Sequence, residues 1–344
     1  METLWFMIVA FMLAMYVVLD GFDIGAGIIH LFAGKSDDER LTILRAIGPV
    51  WDGNEVWLLA AGGSLYMAFP LLYASSFSGF YLPLIIVLWL LMLRGLGIEF
   101  RHSIHSPLWI RFWDFSFSIA SILLAIFFGA ALGNVVRGVP LNQEGYFFEP
   151  LWTTFTVVPN AGILDWFTVV MGLVAFFTLT AHGSNYVAMK TEGTIQNRAR
   201  SVSFFAWWGV VASSVVALIA ASSIRPQIWD NFAEYPWGYI FVVIGVAGAV
   251  GMLLFNRQQK DFRAFLSSSF FIVGMLASTA FGLYPYVLPA STDPSYSLTI
   301  HNTAAQHYGL SVGLTWWIFG MILTAGYFVY MYRSFHGKAS ADVY

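Results

Sequence analysis

The sequence has 344 residues, 58% of them hydrophobic and only 10% charged, with 32 Phe, 16 Tyr and 14 Trp. Soluble globular chains carry roughly 25% charged residues, so a chain this poor in charge is solvated by lipid rather than by water. A net charge of -3 offers no basic surface for nucleic acid, and the lack of cysteine excludes disulfides, thiol catalysis and cysteine-held metals or clusters.

Repeated apolar runs of about 20 residues, each able to cross a hydrocarbon core of roughly 30 Å, predict an all-α polytopic membrane protein. In chain order the nine expected spans fall at about 4–32, 54–73, 77–98, 109–133, 163–188, 203–224, 238–255, 264–288 and 311–332. β-barrel strands would read as short alternating segments, a pattern this sequence lacks. Connectors are short and polar apart from 134–162 and 289–310, with no repeat, low-complexity tract or separate soluble domain, so 1–344 read as one integral membrane domain. The opening METLWFMIV has no basic n-region and no small-residue cleavage site closes the run, which predicts a retained first helix.

Orientation follows from lysine and arginine alone. Lys35, Arg40, Arg45, Arg94, Arg101, Arg111, Lys190, Arg198, Arg200, Arg257, Lys260, Arg263, Arg333 and Lys338 fall on one side, and only Arg137 and Arg225 on the other. That 14-to-2 split predicts the N-terminus outside and the C-terminus in the cytoplasm.

Span 1 carries LDGFDIGAG, which puts Asp20 and Asp23 on one helix face at i, i+3 and well inside the hydrocarbon. An ionised Asp near mid-membrane costs roughly 2.5–3.5 kcal/mol, so each needs a partner, a proton or water. Gly21, Gly25 and Gly27 let another helix or a cofactor approach closely. Span 2 begins VWDGNEVWL, repeating the i, i+3 spacing with Asp52 and Glu55. Span 3 ends in RGLGIEFRH, offering Arg94, Glu99 and Arg101, and span 4 opens WIRFWDF with Asp114. All of these lie in the inner half of spans 1–4. Two readings compete with function: solvated caps and snorkelling charges for Asp52, Glu55, Glu99 and Asp114, and buried ion pairs with Arg94 for Asp20, Asp23 and Asp52. Chains of carboxylates at membrane depth are also how proton relays are built.

The histidines, His30, His102, His105, His182, His301, His307 and His336, lack the paired spacing of a dihaem bundle. Only His182, in TAHGSNY, is expected inside the membrane, where a lone His more often packs helices than binds a ligand. Phosphate-loop, metalloprotease and catalytic-triad patterns are missing. Tryptophan pairs such as 207–208 and 316–317 suit an interfacial belt.

VLDGFDIGAG, GPVWDGNEVWL, AAGGSLYMAFP, FSGFYLPLIIVLWLLMLRGLGIEFR and the late YPYVLPAST with SLTI resemble subunit II of the cytochrome bd quinol oxidases, in order along essentially the whole chain. DGFD followed some thirty residues later by WDGNEVW is the specific pair; the 224–237 connector is short compared with some members. The resemblance implies a nine-helix protein paired with a similarly folded subunit I, and in some complexes with small accessory subunits. Together they oxidise quinol and reduce dioxygen to water without pumping. Haem b558, haem b595 and haem d would be ligated by subunit I. Subunit II would stabilise the haem assembly, carry a cytoplasmic proton route and, in some members, hold a structural quinone.

By motif match Asp52 belongs to that route, and Trp57 would lie near an oxygen-access path; Asp23 and Arg94 also match family positions. The candidate proton pathway is therefore Asp52, Glu55, Asp20, Asp23, Arg94 and Glu99, in the cell (inner) membrane of a bacterium or archaeon. A proton-coupled secondary transporter and a purely structural membrane scaffold remain as alternatives, the first weakened because no paired broken helices mark two halves.

Overall fold

In lipid a backbone must satisfy its own hydrogen bonds, so apolar runs become helices. The computed structural model describes residues 1–339. The helices are α1 (Glu2–Ala33), α2 (Asp37–Ile47), α3 (Trp51–Ala68), α4 (Pro70–Gly79), α5 (Tyr81–Phe100), α6 (Pro107–Arg137), α7 (Trp166–Lys190), α8 (Gly193–Ile224), α9 (Asp230–Glu234), α10 (Tyr239–Arg257), α11 (Asp261–Leu283), α12 (Ile300–Thr303) and α13 (His307–Ser334). Among the described residues eight are long and apolar enough to cross a membrane: α1, α5, α6, α7, α8, α10 with its lead-in turn, α11 and α13.

The expected span 54–73 is instead two helices, α3 and α4. Phe69 takes φ -134° and ψ 66° between them. The Pro70 ring pushes the preceding residue out of the helical region, and a proline suits a first helical position because it needs no amide partner there. The 18 residues of α3 still reach ~27 Å at the usual helical rise. The expected span 264–288 also stops early, at Leu283; Tyr286–Leu288 forms a strand, β1, antiparallel to β2 (Leu298–Thr299). The expected span 203–224 begins earlier, at Gly193, because the polar turns ahead of the membrane stay helical through ion pairs. Arg198 meets Glu39 at 2.6 Å and Arg200 meets Asp261 at 2.7 Å.

Helices α1 and α7 form the centre of the bundle, each packed against α6 and α11 as well as against the other. They touch backbone to backbone. A Cβ on Gly25 would lie 2.0 Å from the Leu179 carbonyl oxygen and 2.7 Å from Gly183 Cα. Small residues at such a crossing let dispersion and packing replace the hydrophobic drive that lipid removes. Phe22 stacks on Tyr186 beside this contact, ring centres 3.8 Å apart.

The Lys/Arg-rich end is organised by α2, whose N-terminus is a capping box between Ser36 and Glu39. Burial would raise the Glu39 pKa, but the Lys35 amide, Arg198, Thr194 and the Ser36 amide outweigh it and hold it at about 2.

At the opposite end the 138–165 loop closes over Arg137. Its guanidinium bonds Asp165, Glu149 Oε1 at 2.7 Å and Asn134 Oδ1 at 2.6 Å. Asp165 meanwhile caps α7, accepting from the Phe167 and Thr168 amides at 2.8 and 2.9 Å. Burial pushes the Glu149 carboxyl up to about 8, Arg137 opposing and Asp165 reinforcing the shift.

Candidate functional site: a buried polar cluster on α1, α3 and α5

Asp20 and Asp23 leave α1 on the side facing α3 and α5, and both are fully buried. Arg94, one and a half turns before the end of α5, is fully buried too. Its Nη1 donates to Asp20 Oδ1 at 2.6 Å and its Nη2 to Glu55 Oε2 at 3.1 Å. The guanidinium thus bridges a fully enclosed carboxylate and one whose side chain is 24% exposed. Beside it, Asn54 Nδ2 donates to Asp23 Oδ2 at 2.7 Å, while the Tyr332 hydroxyl of α13 donates to Asn54 Oδ1 at 2.9 Å. The tyrosine fixes which way the amide points, because a phenol donating to the oxygen leaves the NH₂ for Asp23.

The cluster is not saturated. Asp23 Oδ1 and Arg94 Nε are buried without a hydrogen-bond partner, and the hydroxyl of Tyr16, one turn before Asp20 on the same face, is turned toward the Asp20 carboxylate. Buried polar atoms are nearly always bonded, so these mark room for protons, water or a partner's groups.

Of the six candidate pathway residues, the structure joins Asp20, Asp23, Glu55 and Arg94 and leaves two outside. Asp52 stands exposed in the first turn of α3, one i, i+3 step from Glu55. Glu99 is exposed at the Lys/Arg-rich end, beside Leu41 and His102. Trp57 is buried one turn beyond Asn54, edge-on to Phe11 and Phe328 with ring centres 6.3 and 5.7 Å away.

Asp114, open to a reading as a solvated cap, is enclosed. It accepts from Arg101 Nε at 2.7 Å and Arg40 Nη1 at 3.4 Å, and its Oδ1 lies 2.8 Å from His30 Nε2. His30, at the inner end of α1 as expected, is fully buried there by Asp114 and Phe117. His182 pairs Nδ1 with the Ser268 hydroxyl at 2.7 Å and Nε2 with the Val18 carbonyl at 2.8 Å, packing α7 against α11 and α1. With His182 using both nitrogens and His30 sealed against Asp114 and Phe117, these side chains do not fit a haem iron. The sequence reading missed the roles of Asn54, Tyr332 and Tyr16. Asn54 lay within WDGNEVW and was within reach; Tyr332 is 278 residues away, and nothing local signals the bond.

Residues 1–335 match the family described as cytochrome bd terminal oxidase subunit II. The chain is 31% identical to the probable cytochrome oxidase subunit 2 of Haemophilus influenzae, covering 98% of this chain and 95% of that one. It is likewise 31% identical to the cytochrome bd-I ubiquinol oxidase subunit 2 of Escherichia coli, with 91% and 88% covered. To the cytochrome bd ubiquinol oxidase subunit 2 of Bacillus subtilis it is 30% identical, with 91% and 89% covered. The structure of bd oxidase from Geobacillus thermodenitrificans shares the fold, with a TM-score of 0.76 over 97% of this chain and 98% of that one, at 18% identity. Matched in sequence and in fold along nearly its whole length, this multi-pass membrane protein belongs to the cytochrome bd terminal oxidase subunit II family.

Proposed function

We propose that the chain is the non-haem-ligating subunit of an oxidase that oxidises quinol and reduces dioxygen to water, and that its α1–α3–α5 cluster supplies protons. One observation carries this. Carboxylates run from exposed Asp52 through half-buried Glu55 to fully buried Asp20 across Arg94, with an unpartnered oxygen, Asp23 Oδ1, beside them. Reducing dioxygen consumes protons, and these must cross low-dielectric protein on titratable groups and water. Haem b558, haem b595 and haem d belong, in this reading, to subunit I, since the buried histidines here are engaged by protein. A structural quinone and small accessory subunits come from the family resemblance alone.

The 14-to-2 lysine and arginine split supports a cluster that faces the cytoplasm of a bacterial or archaeal cell membrane, with the N-terminus outside. The exposed apolar face of α3 and α5, with Leu59, Tyr66, Leu88 and Trp89, suits contact with subunit I. Oxygen, being apolar, would be served by the wall that Trp57 forms with Phe11 and Phe328.

A scaffold role is the second reading, favoured by Arg94 lying between two carboxylates. Asp52→Asn and Glu55→Gln in the assembled complex separate the two. A proton role predicts full haem content with oxygen uptake reduced by roughly 10²–10⁴-fold, and more for Glu55→Gln than for Asp52→Asn because Glu55 touches Arg94. A scaffold role predicts lost haem or lost subunit I. Full haem and full turnover in both variants would overturn the proton route.

A further inference from the structure

The two arginines at the end opposite the Lys/Arg-rich face differ in company. Arg137 spends its nitrogens on Asp165, Glu149, Asn134 and the Gly162 and Gly138 carbonyls. Arg225, the C-cap of α8, has no side-chain hydrogen bond or ion pair among the described residues; its guanidinium lies over the Tyr286 ring, 5.5 Å from the centre. A half-buried guanidinium on one aromatic face keeps several unused donors, and such donors suit a phosphate. Arg225 lines a cavity of about 510 Å³ with Gln227, Asp230, Tyr284 and Ser291.

A second cavity of about 260 Å³, almost wholly apolar, lies among α7, α8, α10 and α11 and is lined by Val136, Ala221, Ile228, Val242 and Met275. The two are neighbours along four stretches of chain. Val136 lines the apolar one and Arg137 the polar one; Ala221 and Ile224, Ile228 and Gln227, and Thr279 and Gly282 divide in the same way. A charged chamber at the membrane boundary thus adjoins a greasy cleft leading into the hydrocarbon layer.

We propose that these cavities together hold one glycerophospholipid whose headgroup carries both a phosphate and a primary ammonium. The phosphodiester sits on Arg225, the ammonium on Asp230, and an acyl chain fills the cleft between α8, α10 and α11. The charge balance selects this headgroup. Arg137 is already offset by Asp165, and Glu149 beside it is held largely protonated, which leaves Arg225 and Asp230, one charge of each sign. A headgroup whose only charge is its phosphate would leave Asp230 without a cation.

The test uses the complex with its partner subunit, delipidated by detergent exchange and titrated separately with phosphatidylethanolamine, phosphatidylglycerol and inorganic phosphate, with adducts counted by native mass spectrometry. Wild type should retain one tightly bound phosphatidylethanolamine. Arg225→Gln should lower its occupancy about tenfold or more, with Arg225→Lys recovering part of it. Val242→Trp, which fills the cleft and leaves Arg225 in place, should lower occupancy as well, and Asp230→Asn should let phosphatidylglycerol bind as well as phosphatidylethanolamine. The proposal is overturned if Arg225→Gln retains the lipid like wild type, if inorganic phosphate displaces it, if wild type prefers phosphatidylglycerol, or if a co-purified quinone fills the cleft instead.

Discussion

Arg94 and Asp20 meet at 2.6 Å with both side chains fully enclosed, although they lie 74 residues apart on different helices. Removing one member of such a pair strands a charge in low dielectric, at a cost of about 3–5 kcal/mol, whereas removing both leaves only the half-buried Glu55 without its cation. Arg94→Gln or Asp20→Asn alone should sharply reduce the yield of complex with subunit I. The double variant should recover part of it. Yields that simply multiply across the cycle, measured by co-purification, would show that the pair is not coupled.

The crossing of α1 and α7 is equally unforgiving. A Cβ on Gly25 has no side chain to push aside, only the Leu179 carbonyl and the Gly183 backbone. Gly25→Ala should therefore destabilise the chain by about 1–3 kcal/mol or more, as overpacked cores do. Gly320→Ala, with nothing within 4 Å of the new atom, should not. Thermal unfolding of the two variants in the same detergent decides it.

A pH dependence follows from Glu149. Its folded pKa of about 8 lies above the ordinary glutamate value of 4.5, so the folded state holds the proton more tightly than the unfolded chain. Stability from this site is then complete below about 4.5 and is lost as pH rises through about 8. Glu149→Gln keeps a neutral side chain beside Arg137 at every pH. The melting temperature of wild type should fall relative to the variant across that window; a constant gap between the two curves would contradict the assignment.

The charge asymmetry of the connectors makes a simpler prediction. A reporter fused to the C-terminus should work only in a form that is active in the cytoplasm. Activity of a form that works only outside the cell would mean an even number of crossings or an inverted chain.

Hydropathy revealed most of the helices, because a run of apolar residues in lipid has few alternatives to a helix. It ran straight through Phe69–Pro70, since a break made by a proline ring leaves the apolar count unchanged. The pairing of Asp20 with Arg94 was within reach for an energetic reason: a carboxylate at that depth needs a partner, and few cations are near. The exposure of Asp52 was only one of two open readings, because a position within a motif does not say which side of a helix turns inward. His30 does stand in the last turn of α1, but that Asp114, 84 positions later, would enclose it left no local sign. Arg137, Glu149 and Asp165 left no pattern at all, as their meeting depends on how a long loop folds back.

The bond between Tyr332 and Asn54 has a consequence for how the protein is made. Asp23 and Asn54 belong to the first helices to leave the ribosome, and Tyr332 to the last. For nearly the whole of synthesis Asn54 Oδ1 waits in a half-built bundle without its donor, and its amide is free to turn the other way. The polar centre can take its final hydrogen-bonded form only when α13 arrives, so a nascent chain stalled or cut before that helix lacks the last bond of the cluster however well its earlier helices insert.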